Sequence, residues 1–228
     1  MVQAVQIPFD LGHVPAVSAV DFLVAESNAE AHLQIERWPD WRELALGLWG
    51  PAGCGKSHLA HLFLAKSGGI LLPARSLVVA DIPRLSEHPT VVVEDADRGV
   101  DEAALLHLYN HMREMGRFLL LTSRAAPSQW PIRLPDLRSR LTALPVAEIH
   151  SPDDDLLAAV LVKLFADRQM RVGPDVLNFI LARMERSFDN ARSLVAAIDA
   201  AALAGRRPVT VPLIRQVMQT GEQSTEAP

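Results

Sequence analysis

Eight residues, Gly50–Ser57 (GPAGCGKS), have the types and spacing that bind a nucleotide phosphate. Glycines at 50, 53 and 55 let the backbone curl until successive N–H groups face one anion. Lys56 is spaced to reach the β- and γ-phosphates, and the Ser57 hydroxyl to ligate Mg²⁺. A helix starting there adds the positive end of its dipole. The implied ligand is ADP or ATP with Mg²⁺. Cys54 reads as a small side chain at a tolerant loop position. It joins Gly50, Gly53, Gly55, Lys56, Ser57 and His58 in the expected nucleotide-binding set. A chance glycine turn with a surface lysine is the competing reading. Context separates the two, because an apolar strand precedes this loop and an amphipathic helix follows it.

A second cluster is Val91-Val92-Val93-Glu94-Asp95, an apolar run ending in two acids. Ligands collect at the carboxyl edge of parallel sheets. Glu94 is expected to hold Mg²⁺ through water, and Asp95 to orient an attacking water. Without the glycine loop upstream, a pair of solvated acids would be the better reading. Asp97 and Arg98 are nearby alternates. The eight histidines show no metal-binding spacing, and His58 and His61 read as surface or packing residues.

Composition narrows the class. A net charge of −5 argues against nonspecific gripping of duplex DNA. One cysteine cannot form an internal disulfide, which suits a reducing compartment. No run approaches the roughly 18 apolar residues that span a bilayer. The start, MVQAVQIPFDLGH, lacks the basic and apolar regions of a signal peptide. The expectation is a cytoplasmic protein without a membrane partner.

Elements must hold these residues in place. Ser27–Arg37 reads as a helix capped by Ser27 or Asn28, with Ala31, Ile35 and Trp38 near one face. Strands are expected at Leu44–Trp49, Gly69–Leu72, Thr90–Val93, Arg117–Thr122 and Ala143–Ile149. Helices are expected at Ser57–Ala65 and Asp101–Met115. That alternation predicts a parallel sheet covered by helices on both faces, an α/β/α core. After Ser151 the pattern turns wholly helical, over residues 156–165, Asp175–Met184, Asn190–Ala204 and Pro212–Met218. The expected organisation is a leader over 1–18, a nucleotide-binding domain over 19–150, a helical lid over 151–220, and a polar, disordered tail over 221–228.

With these motifs in order, the chain resembles the AAA+ module of the bacterial replication initiator DnaA, and most closely its short Hda-type relatives. The resemblance covers about residues 20–220. Ala19–His32 is similar to the stretch that lies beside the adenine in that family. Gly50–Leu59 resembles its phosphate loop, Leu105–Gly116 the helix before its sensor-1 strand, and Leu119–Arg124 that strand and its end. Pro135–Leu141 (PDLRSRL) resembles the segment presenting an arginine finger, which makes Arg140 the finger and Arg138 its competitor. Ser187–Leu194 resembles the start of the sensor-2 helix, which makes Arg192 the sensor-2 arginine. A guanidinium stays charged and forks onto phosphate oxygens, and supplied in trans it stabilises phosphoryl transfer.

Two positions depart from the family. The pair Glu94-Asp95 stands where two aspartates are common in the initiator, and Asp95 is one methylene shorter than the glutamate of most AAA+ ATPases. Weak or absent intrinsic hydrolysis follows as an expectation. Arg124 stands where the initiator often has an aspartate and receives no role. The chain stops about where the lid stops, so the initiator's DNA-binding domain and sequence-specific DNA contact are not expected. The leader Gln6-Ile7-Pro8-Phe9-Asp10-Leu11 resembles a sliding-clamp-binding peptide, with Gln6, Ile7, Phe9 and Leu11 as anchors in an extended docking mode.

The resemblance therefore implies a negative regulator of replication initiation. Its partners would be DnaA and the β sliding clamp of DNA polymerase III, and it would promote hydrolysis of DnaA-bound ATP. A stand-alone AAA+ ATPase such as a helicase loader, and a DnaA-like adaptor that does not bind the clamp, stay open. So do monomer and homodimer.

Overall fold

The computed structural model describes residues 22–225; the leader residues Gln6, Ile7, Phe9 and Leu11 lie outside them. The described residues divide into two compact units, with the boundary along the chain between Ser151 and Pro152.

The first unit is built on five parallel strands: β1 (Ala45–Trp49), β2 (Ile70–Pro73), β3 (Thr90–Glu94), β4 (Phe118–Ser123) and β5 (Val146–Glu148). Their order is β2-β3-β4-β1-β5. Successive side chains of a strand point to opposite faces, and the core obeys this residue by residue. Val91, Val93, Leu119 and Leu121 enter one apolar cluster with Leu105, Leu108 and Met112. Val92, Leu120, Leu46 and Leu48 enter the other with Leu59 and Phe63. Strands buried on both faces read as continuous apolar runs rather than alternating ones.

Helices supply the two covers. One is formed by α1 (Ala29–Glu36) and α2 (Lys56–Ser67), the other by α3 (Ile82–Leu85), α4 (Glu102–Glu114) and α5 (Pro135–Ala143). Phe63 of α2 is fully buried between Trp41 and Trp38, with ring centroids 4.9 and 6.0 Å away. Asn28 stands at the N-cap of α1, one of the two expected positions, but its side chain makes no capping bond. Its side chain instead accepts from the Ala25 N–H and donates to the Leu23 carbonyl, fastening the preceding loop. The short helix α3 and the 3₁₀ turns at Val79–Asp81 and Pro127–Gln129 carry too few apolar repeats to be read from sequence.

The second unit is all-helical, with α6 (Asp154–Asp167), α7 (Pro174–Leu181), α8 (Phe188–Gly205) and α9 (Val211–Thr225). Its own core gathers Leu161, Phe165, Ile180, Val195, Ile198 and Ile214. Asp153 caps α6 by accepting from the Leu156 N–H, and Ser187 caps α8 by accepting from the Asn190 N–H. The last helix continues past the expected end at Met218 to Thr225, into residues read from sequence as a polar tail. Among the described residues no helix is long and apolar enough to cross a membrane.

Truncating Phe63 to Ala removes the ring that both tryptophans pack against. The expected loss is about 3–5 kcal/mol of unfolding free energy, read from urea denaturation. A loss under about 1 kcal/mol would mean the α2 face is not a packed core.

Candidate nucleotide site

The loop after β1 runs straight into α2. Gly50 has φ +155°, and a Cβ there would stand 2.0 Å from the Ile149 carbonyl oxygen, so no larger residue fits at this crossing. Gly55 caps α2 at φ 106°, a conformation that glycine adopts freely. No side chain caps α2, and the uncapped N–H groups of a helix start are what an anion site uses.

Lys56 is buried, at 8% exposure. Its Nζ donates to the Gly50 and Pro51 carbonyls, both at 2.7 Å, and lies 3.7 Å from Cys54 Sγ. Among the described residues no carboxylate lies within ion-pair distance of it. A buried ammonium held only by neutral acceptors is expensive unless an anion compensates it. Two carbonyls take two of its three donors and the weak acceptor Cys54 Sγ faces the third, where a phosphate oxygen would be the stronger partner. Cys54 is buried at 2% exposure, so its position is not the tolerant one expected. Burial pushes its thiol above the ordinary value, and the adjacent Lys56 only partly opposes that.

His58 is a packing residue. Its ring lies 5.5 Å from that of Phe22, which stacks on His32 at 5.3 Å. His61 and Ser57 are exposed, and His61 Nδ1 lies 2.6 Å from the Ser57 carbonyl oxygen.

The acids stand beside this loop because β4 pairs with both β1 and β3. Trp49 is registered with Ser123, and Val93 with Leu121, so the three strands end together. Glu94 Oε1 is buried without a protein partner. A carboxylate oxygen shielded in this way fits a hydrated cation, which would supply the missing donors. Mg²⁺ keeps several waters and uses one or two carboxylates plus phosphate oxygens, so a cage of three protein ligands is not needed. Among the described residues there is none.

Asp95 is exposed and adopts φ 51°, a left-handed conformation in which aspartate is enriched. Its N–H donates to Thr122 Oγ1 at 3.2 Å, and the Ala96 N–H to the Thr122 carbonyl at 2.8 Å. Asp97 accepts from the Arg124 N–H at 3.0 Å. Thr122 and Asp97 thus hold the acidic turn against the end of β4. The sequence signal for Thr122 was a lone hydroxyl closing an apolar strand.

The two arginines of α5 differ. Arg138 is committed to its own chain, with Nε and Nη2 both donating to the Ile132 carbonyl. Arg140 lies over the Tyr109 ring, 5.7 Å from the centroid. Its donors have no hydrogen-bond or ion-pair partner among the described residues. Burial raises the Tyr109 phenol above its ordinary value, so the ring beneath Arg140 stays neutral. In the helical unit, Arg192 projects from the start of α8 and pairs with Asp189 across one turn, an exposed contact of little energy.

Residues 153–218 match the family model described as Hda, lid domain. The four-helix unit thus carries an Hda-type lid sequence, and the fold as a whole is shared with solved DnaA structures. The chain is similar to domain III of the Thermotoga maritima replication initiation protein DnaA, with a TM-score of 0.76 and 16% identity over 90% of this chain and 97% of that one. AMPPCP-bound DnaA from Aquifex aeolicus superposes with a TM-score of 0.66 at 15% identity, over 78% of this chain and 63% of that one. An uncharacterized protein of Haemophilus influenzae is 27% identical in an alignment 187 residues long that covers 75% of this chain and 80% of the relative. At these identities the two structures speak for the fold. The Hda-type lid match rests on the sequence of the four-helix unit itself.

The buried Cys54 thiol should resist alkylation. In the native chain at pH 8, iodoacetamide labelling should run at least tenfold slower than in urea, on the order expected for a raised thiol pKa and blocked access. Equal rates would place Cys54 at the surface of the loop.

Proposed function

We propose that this chain is an Hda-type regulator that limits replication initiation by promoting hydrolysis of DnaA-bound ATP. The match of residues 153–218 to the Hda lid, on a DnaA-like fold, carries the reading. Such a regulator holds its own nucleotide chiefly to set its shape. Gly50, Gly53, Gly55 and Cys54 form the loop around the phosphates, Lys56 compensates their charge, and His58 packs beside them. Ser57 and Glu94 would hold Mg²⁺, which would supply charge neutralisation at the phosphates. Arg192 serves as the sensor-2 arginine.

Arg140 acts on the partner. Its unpaired, permanently charged fork enters the ATP site of DnaA and stabilises charge on the transferring phosphoryl group. The binding of Arg138 to Ile132 supports Arg140 as the finger, because Arg138 would have to abandon two hydrogen bonds first. Gln6, Ile7, Phe9 and Leu11 dock on the β sliding clamp in extended form. The pairing of Glu94 with the shorter Asp95 fits weak intrinsic turnover.

Two experiments test this. With clamp loaded on DNA, Arg140→Ala should lower stimulated hydrolysis of DnaA-bound ATP by about 10³-fold, the scale of an arginine finger. Arg138→Ala should lower it far less, and the reverse ranking would reassign the finger. Gln6→Ala should weaken retention on immobilised clamp, and equal retention of variant and parent would remove the clamp from the account.

A further inference from the structure

Helix α5 carries Arg140 but has no side-chain cap of its own. Its N-cap is Leu134 and its first residue is Pro135, which has no N–H to anchor. Leu137 and Leu141 pack the helix on the core, and its start is held by the segment that leads into it, residues 130–134. On one side of that segment lies a cavity of about 130 Å³, lined by Ala96, Asp97, Gly99, Glu102, Trp130 and Ile132 among others. Packing alone does not fill the space between this segment and the turn that follows Asp95.

One side chain bridges it. Glu102, in the first turn of α4, accepts from the Leu134 N–H at 2.8 Å through Oε2. It also accepts from the Arg133 N–H, at 3.1 Å through Oε1 and 3.0 Å through Oε2. These are charge-assisted bonds from a carboxylate to backbone, the stronger class of hydrogen bond. The base of the bridge is itself fixed, because Asp101 caps α4 by accepting from the Ala104 N–H at 2.9 Å. Arg138 also ties α5 to Ile132, and Trp130 Nε1 donates to the Ala125 carbonyl, but neither bond reaches α4.

We infer that Glu102 is the positioning residue for the arginine-finger helix, holding the start of α5 against α4 so that Arg140 is presented in a fixed direction. This rests on the reading of Arg140 as the finger. Glu102 touches no reacting atom; it acts through residues 133–134 and the six residues from Pro135 to Arg140. A misplacement of about 1 Å at a catalytic group costs up to about 10²-fold in rate.

The bridge is sensitive to acid. The Leu134 and Arg133 N–H groups, with a smaller contribution from the charge of Arg133, hold the Glu102 carboxyl below the ordinary glutamate value. The bonds are at full strength above that ordinary value and are lost as pH falls through the lowered one.

The test uses the full chain with Glu102→Gln and Glu102→Ala, each checked for folding by circular dichroism. In the parent, the amide resonances of Arg133 and Leu134 should titrate with a midpoint below the ordinary glutamate range. That titration should vanish in both variants. In the hydrolysis assay, maximal stimulation should fall by about tenfold. The half-saturating concentration, and the affinity of the chain for its own nucleotide, should not change. A fall in nucleotide affinity instead would mean a general structural role and overturn the assignment. If both variants stimulate like the parent while Arg140→Ala does not, the finger stands and the positioning role is wrong. If Arg140→Ala stimulates like the parent, the finger reading fails, and the amide titration alone decides whether Glu102 holds α5.

Discussion

Strand β4 is hydrogen-bonded on both edges, to β1 on one side and β3 on the other. That double pairing brings residues far apart in sequence to one sheet edge. The phosphate loop leaves β1 at Trp49, the acids leave β3 at Glu94, and Thr122 stands on β4 between them. Slipping β4 by one residue would turn Leu119 and Leu121 out of one apolar cluster and Leu120 out of the other. Burial on both faces therefore fixes the register. The register in turn fixes which polar atoms meet.

Charge is distributed with the same economy. Lys56 is drawn inward by two carbonyls and left without a carboxylate, so the loop carries an uncompensated positive charge suited to phosphate. At the end of β3, with β4 between it and the loop's strand, Glu94 keeps one buried oxygen without a partner. Arg138 and Arg140 lie two residues apart on α5 with opposite assignments, one spent on the Ile132 carbonyl and one resting on a neutral ring. A fork with free donors over a phenol can leave without breaking a hydrogen bond. This contrast, rather than residue type, distinguishes the two arginines.

Much of this was legible in the sequence. The strands at residues 44–49, 90–93 and 117–122 announced themselves as apolar runs bounded by glycine, proline or acids. GPAGCGKS specified its own geometry, because few backbones other than a phosphate loop need glycines at those spacings. Legibility failed where polar side chains act across the fold. Nothing local to Glu102 reveals that it will accept the N–H groups of residues some thirty positions away. Asn28 looked like a helix cap, yet its amide serves the loop before it. Cys54 looked tolerant because loop positions usually are, but this loop folds back onto the core. In each case the pattern gave the element correctly, and the tertiary contact decided what the side chain does.

The proposed function, in which the chain keeps its nucleotide as a structural ligand and lends an arginine to another protein's hydrolysis, has a distinctive kinetic consequence. The most direct test is a comparison of two turnovers in one preparation. ATP labelled at the γ-phosphate is bound either to this chain alone or to DnaA, and phosphate release is followed with DNA-loaded clamp present. Little release is expected from the chain alone, and strong, chain-dependent release from DnaA. Multiple turnovers by the chain alone, unaffected by DnaA or clamp, would contradict the proposed function.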